Sequence, residues 1–210
     1  PDQAFIQYNR TIIADPNHAG AQRDIGIFYV KLRKPKEAIP HFESAINSAP
    51  DDWQLKNALA LEYIKLAINE KSPRDIDLLD RAAILVSHDD AQAILLLGAA
   101  YAKKGEAERA IPYLEKAIML SPMDSDAYDD LAAAYVIKGD MDRAMTLTKQ
   151  SMILRPNQAA PYVNMGMIYA KKGMLDMARI NFSKAMELDS KGEAGKKALT
   201  EVQKINSWYR

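Results

Sequence analysis

Residues 91–124, AQAILLLGAAYAKKGEAERAIPYLEKAIMLSPMD, are followed by two stretches of the same length: 125–158, SDAYDDLAAAYVIKGDMDRAMTLTKQSMILRPNQ, and 159–192, AAPYVNMGMIYAKKGMLDMARINFSKAMELDSKG. Laid over one another, they hold Gly98, Ala132 and Gly166 at one position and Tyr101, Tyr135 and Tyr169 at the next. Gly105, Gly139 and Gly173 follow in register, then Ala110, Ala144 and Ala178, then Ala117, Ser151 and Ala185, and finally Pro122, Pro156 and Ser190. A 34-residue interval kept at this many positions is the mark of one supersecondary unit repeated in an array.

Each unit reads as two helices. From Ala91 to Lys104, the apolar residues Ile94, Leu97, Gly98 and Tyr101 recur at helical spacing. Gly105 ends that helix, because a left-handed residue commonly closes one and glycine takes that conformation without strain. A second amphipathic stretch runs through Ala110, Ile111, Leu114, Ala117, Ile118 and Leu120 to Pro122. Gly98 with Ala110, or Gly166 with Ala178, lets the two helices approach closely, and Tyr101 or Tyr169 fills the space beside them.

This pattern resembles the tetratricopeptide repeat, whose signature is an aromatic, Leu-Gly, Tyr, Ala, Phe, Ala and Pro at fixed offsets. In 159–192 those positions hold Tyr162, Met165-Gly166, Tyr169, Ala178, Phe182, Ala185 and Ser190. The unit at 19–52 matches with Ile25-Gly26, Tyr29, Ala38, Phe42, Ala45 and Pro50, although Gln22 replaces the aromatic. The resemblance implies an all-α fold, a right-handed α-solenoid of stacked helix-turn-helix repeats. The expected organisation is the second helix of a truncated repeat in 1–18, repeats at 19–52, 53–90, 91–124, 125–158 and 159–192, and a C-terminal capping helix in 193–210. The repeat at 53–90 is irregular: it carries four extra residues, Ala67 replaces the terminating glycine, and the first helix should run on toward Glu70 before a turn at Ser72-Pro73. At the start, Ala4, Tyr8, Thr11 and Pro16 precede Ala38, Phe42, Ala45 and Pro50 by one period, so a trimmed first repeat is expected. At the other end, Ala198, Leu199, Val202 and Ile205 form an apolar stripe against Lys196, Lys197, Glu201 and Lys204, the polar outer face that repeat arrays need.

Composition narrows the function. Twenty-eight basic and twenty-eight acidic residues leave no net charge, which gives no footprint for nucleic acid or an anionic membrane surface. There is no cysteine, hence no disulfide, thiol catalyst or iron–sulfur site, and no apolar run approaches the roughly 20 residues of a membrane span. His18, His41 and His88 fall in separate units and read as surface histidines. No phosphate-binding glycine loop and no serine–histidine–carboxylate arrangement is present. Asp124, Asp126, Asp129 and Asp130 begin like a calcium loop, but Tyr128 and Asp129 occupy positions where a ligand and a glycine are required. Asp124 and Asp126 read instead as charge favouring a helix N-terminus. Pro40 and Pro112, at one repeat position early in second helices, read as structural. No catalytic residue, metal or cofactor is expected, and the placement expected is cytoplasmic, with periplasmic or membrane-associated placement through further sequence left open.

The resemblance also implies where a partner binds, since first helices of this family line a concave groove that takes a peptide or helix. Carried onto this chain, the groove positions are Arg23, Asp24, Ile27 and Lys31; Asn57, Leu61 and Lys65; Gln92, Leu95, Leu96, Ala99 and Lys103; Asp126, Asp129, Asp130 and Ala133; and Val163, Asn164, Met167 and Lys171. Ile27, Leu61, Ala99, Ala133 and Met167 would form an apolar floor that Leu95 and Leu96 widen, with Asp129 and Asp130 as an acidic wall. The expected function is a non-enzymatic scaffold or adaptor taking an amphipathic, basic peptide or helix of a partner protein. The family's clamp for chaperone carboxylates, built from Lys, Asn and Arg, is absent: Arg23, Ile27, Ala58, Leu95 and Leu96 stand in its places, and only Asn164 agrees. Two alternatives stay open. One is self-association through an N-terminal end carrying Phe5, Ile6, Ile12 and Ile13; the other is an accessory domain of a larger enzyme or regulator.

Overall fold

A computed structural model describes residues 2–69 and 75–207, and among these residues the chain is entirely helical. The helices are α1 (Asp2–Ala14), α2 (Ala19–Lys31), α3 (Pro35–Ser48), α4 (Trp53–Asn69), α5 (Asp75–Leu85), α6 (Ala91–Lys103), α7 (Ala107–Leu120), α8 (Ser125–Lys138), α9 (Met141–Leu154), α10 (Ala159–Lys171), α11 (Leu175–Leu188) and α12 (Glu193–Ser207). The fold is an all-α helical-repeat solenoid. The turn expected at Ser72-Pro73 and the helix end expected near Glu70 lie outside the described residues.

The chain divides into two compact units, residues 1–100 and 101–210, with the division falling inside α6. In the first, α2 packs on α3, α4 on α5, α3 on α4 and α1 on α2. In the second, α8 packs on α9 and α10 on α11, while α7 meets α8, α9 meets α10 and α11 meets α12. α2, α4, α8 and α10 therefore each have the second helix that follows as main partner, and α3, α7, α9 and α11 each meet the next helix along the chain.

Small residues set the spacing within a pair. A Cβ added at Gly26 would stand 2.5 Å from a ring carbon of Phe42, and one at Gly166 would stand 2.6 Å from the same atom of Phe182. The glycine is thus the complement of the phenylalanine sixteen residues on. In 125–158 the corresponding residues are Ala132 and Thr148; both are fully buried, and the smaller side chain leaves room for a methyl. Ala38, Ala45, Ala110, Ala144, Ala178 and Ala185 are likewise fully buried at the expected close approaches.

The turns after α2, α6, α8 and α10 each contain a left-handed residue. Gly105, Gly139 and Gly173 have φ of 84°, 94° and 75°. After each, a backbone N–H reaches back to the same repeat tyrosine: Glu106 to Tyr101 O, Asp140 to Tyr135 O and Met174 to Tyr169 O, at 2.9–3.0 Å. The turn after α2 makes the equivalent bond, Lys34 N–H to Tyr29 O at 3.0 Å, through Arg33 at φ 57°.

The same tyrosines knit second helices to first. Tyr63 donates to Glu43 and lies 4.3 Å beneath the Arg81 guanidinium, and Arg81 also pairs with Glu43 at 2.5 Å. The arrangement recurs as Tyr135 donating to Glu115 at 3.0 Å under Arg143, whose guanidinium donates back to the tyrosine oxygen at 3.2 Å. Burial and the Glu43 carboxylate push the Tyr63 hydroxyl well above its ordinary value.

Candidate functional site

α8 begins where Asp124 accepts the Asp126 backbone N–H at 3.0 Å, a side-chain cap on a helix N-terminus. That start fixes the register of the helix, and Asp126, Asp129, Asp130 and Ala133, spaced by three and four residues, fall on one face. The three carboxylates meet different surroundings. Asp126 is exposed, accepts from Gln158 Nε2 at 2.6 Å and has Arg155 at 4.0 Å. Asp129 is 5 % exposed, and neither of its oxygens accepts a hydrogen bond. Asp130 is half-buried between them.

Burial is the main reason why the Asp129 carboxyl is pushed up to about 7. The Ser151 hydroxyl opposes the shift as a neighbouring donor, though neither it nor Asp129 attains full hydrogen-bond geometry, and Asp130 and Asp126 reinforce the shift by repulsion. Asp130 is pushed up to about 6 by burial and by Asp126, against the attraction of Lys103 and Lys197. Lys197 is in turn lowered by the protein atoms crowded around its ammonium, although the residue keeps solvent access, while Glu201, Glu193 and Asp130 hold it up.

α10 supplies the neighbouring positions. Asn164 is buried and donates Nδ2–H to the Asp129 backbone oxygen at 2.9 Å, and Val163 is buried in the core formed with Phe182, Ala198 and Ile205. These two expected groove residues therefore hold helices together rather than face a ligand. Met167 and Ala133 remain half-buried. The face that residues 101–210 offer consists of Asp126, Asp130, Ala133 and Met167, with Lys103 on the last turn of α6.

The expected positions in residues 1–100 divide in the same way. Arg23 is exposed and paired with Asp24 at 3.0 Å, Ile27 is 38 % exposed, and Gln92 is exposed. Leu61, Leu96 and Ala99 are half-buried. Asn57 is buried and donates to Asp90 Oδ2 at 2.5 Å. Leu95 is 5 % exposed, which corrects its reading as a water-facing leucine: α6 is apolar around most of its circumference, and this side chain falls on the buried arc, where removal from water stabilises the fold by roughly 1.5–3 kcal/mol.

Two further expectations change. His41 is half-buried rather than on the surface; its Nδ1 lies 2.7 Å from Gln22 Oε1, its ring stacks on Tyr29, and burial lowers its pKa. His18 is exposed, as expected, and also caps α2 by accepting the Ala21 N–H on Nδ1 at 3.1 Å. In the apolar stripe of α12, Ala198 and Ile205 are buried but Leu199 is 47 % exposed.

The charged face of α12, expected from Lys196, Lys197, Glu201 and Lys204, also reaches α6, which no sequence pattern specified. Glu193 pairs with Lys103 at 3.0 Å, and Lys197, one turn further on, lies within electrostatic reach of Asp130 and Lys103. The only sequence signal was an acidic and a basic residue four apart on one helix, which is common on solvated faces. Among the described residues no group of three or more His, Cys, Asp or Glu could hold a metal ion, and no helix is long and apolar enough to cross a membrane.

Stacked helix pairs with a charged first-helix face define a helical-repeat scaffold for protein interaction. The tetratricopeptide-repeat family model matches residues 91–123 and 159–191, so these two stretches are tetratricopeptide repeats within the helical array. Among solved structures it is similar to MamA, at 26 % identity over 82 % of this chain and 92 % of that one, with a TM-score of 0.66. It is similar in fold to MamA of Desulfovibrio magneticus RS-1, at 21 % identity over 83 % and 97 % with a TM-score of 0.69. The same holds for YrrB, described as a TPR protein with an unusual peptide-binding site, at 17 % identity over 93 % and 97 % with a TM-score of 0.68. No curated protein sequence matches the chain.

Proposed function

We propose that this chain is a non-enzymatic adaptor that takes a basic, amphipathic peptide or helix of a partner protein on the first-helix face of residues 101–210. The observation that carries the reading is the row of three carboxylates on one face of α8, graded from exposed to buried and bordered by half-buried Ala133 and Met167. Burial and the neighbouring carboxylates raise Asp129, so a cation brought to this face lowers the cost of ionising the whole row. The two half-buried apolar positions supply the contact an amphipathic helix needs, in the helix-in-groove mode.

Binding of a synthetic amphipathic peptide carrying lysines, followed by calorimetry at low and high salt, tests this. Affinity should fall with salt, and Asp126→Asn together with Asp130→Asn should weaken binding and flatten the salt dependence. Affinity unchanged by both substitutions at both salt concentrations would remove the acidic face from the account.

A second reading, self-association through α1, draws on Ile13 at 81 % exposure and Ile6 at 49 %. Light scattering decides it: a concentration-dependent mass that Ile6→Ser with Ile13→Ser abolishes supports it, and a monomer at high concentration removes it.

A further inference from the structure

Asp129 is an acid in a core position. One period to either side, the same place in the repeat is held by Leu95 and Val163, and all three residues are at most 5 % exposed. Neither oxygen of Asp129 accepts a hydrogen bond, and among the described residues no basic side chain pairs with it. The helices packed on α8 bring it no counter-charge. From α7, Glu108 and Glu115 reach α8 at Lys138 and Tyr135, nearer its C-terminus. From α9, Arg143 also goes to Tyr135, and the buried Ser151 hydroxyl stays unbonded. From α10, Asn164 gives its donor to the Asp129 backbone oxygen and not to the carboxyl. A carboxylate enclosed in this way has lost water and gained no donor, so the neutral acid is the form the packing accepts. The flanking acids on α8 are open by comparison. Asp126 is 52 % exposed with Arg155 at 4.0 Å, and half-buried Asp130 feels the attraction of Lys103 and Lys197.

We propose that the partner brings the counter-charge that Asp129 lacks: a basic side chain docked between Asp126 and Asp130 draws the proton off Asp129, so that binding and deprotonation of this carboxyl are one linked event. The proposal rests on the reading of α8 as the binding face and adds how that face is regulated. Residues three apart on a helix have Cβ atoms about 5–6 Å from one another, so a cation held by Asp126 acts on Asp129 at short range. Asp129 is already dry, and covering the face takes no further water from it; the field of the cation is the one new influence. That field acts largely through protein, where a charge is felt more strongly than through solvent. The O–H bond of Asp129 breaks, the proton passes to water and the electron pair stays on the carboxylate. A cation favours the ionised form, so the complex holds fewer protons than the separated parts. Affinity therefore rises as pH climbs through about 7, the value to which burial pushes the free carboxyl. Neutral to mildly alkaline surroundings favour the complex, and acid releases the partner.

The test uses the full chain and a synthetic lysine-bearing amphipathic peptide, with affinity followed by fluorescence anisotropy across pH. Parent and Asp129→Asn should bind equally at about pH 5, where the residue is neutral in both, and the parent should bind about tenfold more tightly at about pH 8. Calorimetry of the parent at about pH 7, in two buffers of different ionisation heat, should show protons released on binding, and the variant should release fewer. Thermal melting at each pH checks that the variant stays folded; the calorimetric proton count on the parent does not depend on it. A parent-to-variant ratio that is the same at both pH values would overturn the linkage, since Asp129 would then act through packing alone, and would leave the binding face standing. Binding by the parent without proton release would overturn it in the same way. Failure of the peptide to bind either form at any pH would defeat the binding-face reading, and this proposal with it.

Discussion

Arg33 and Gly139 close equivalent turns in the two units, and the chain follows nearly the same path through both. Each turn sends a backbone N–H back to the repeat tyrosine, Tyr29 or Tyr135, at 3.0 Å. The residue at the corner differs: Gly139 adopts φ 94° freely, whereas Arg33 is forced to φ 57° with a Cβ. The same contrast runs through the surrounding repeats. Residues 101–210 keep the 34-residue period, and residues 1–100 absorb four extra residues in 53–90 and replace a terminating glycine with Ala67, which is buried inside α4. What is conserved between the units is the helix-pair packing. The turn chemistry is negotiable at a cost of about 1 kcal/mol per turn, far below what the helix contacts contribute.

The contrast breaks first where packing is tightest. Ala144→Leu and Gly166→Ala both force atoms into filled space, the second against the Phe182 ring, and each should lower stability by about 1–3 kcal/mol in urea unfolding. Equal loss from Gly26→Ala against Phe42 would show that the two units share this constraint.

Next comes Asp129, the buried carboxylate of the second unit. An aspartate raised from 3.8 to about 7 takes up a proton on folding, so the native state binds more protons than the unfolded chain between those values. Stability contributed by the protonated form is present below about 4 and is lost as pH rises through 7. Asp129→Asn should therefore stabilise the protein by about 1–2 kcal/mol at pH 8 and have little effect at pH 4. The difference in urea midpoints between the two pH values reads this directly.

The turns come last. Gly139→Ala should cost about 1 kcal/mol, and Arg33→Gly should raise stability by about 0.5 kcal/mol, since relief of the left-handed strain is partly offset by the greater freedom of glycine when unfolded. Opposite signs in thermal melts of these two variants sharpen the comparison, whereas a loss at both would mean that Arg33 makes contacts that outweigh its backbone strain.

The repeat was legible because its signals are local. A glycine before a turn, an alanine at a close approach and a proline after a helix each act within a few residues. Spacing set Gly166 beside Ala178 as a close approach, whereas the side chain that a Cβ there would meet is Phe182, as it is Phe42 at Gly26. The site was less legible. Leu95 sits in a helix with apolar residues on nearly every side, so periodicity could not say which side faces inward. Asp129 and Asn164 look solvent-facing in sequence, yet both are buried where α8 meets α10, with Asn164 donating to the Asp129 backbone oxygen. The pair Lys103–Glu193 joins residues 90 apart, and the Tyr63–Glu43–Arg81 set draws on three helices; no local pattern announces either.

The central claim is that a partner engages first helices in residues 101–210, and photo-crosslinking locates that contact. A photoreactive residue is placed at half-buried Ala133 on α8, or at exposed Thr146 on α9 as the outer-helix control, in the presence of a lysine-bearing amphipathic peptide. Crosslinks from position 133 that excess unlabelled peptide removes, with none from position 146, are the expected result. Crosslinks from position 146 alone would place the partner on the second helices and contradict the account.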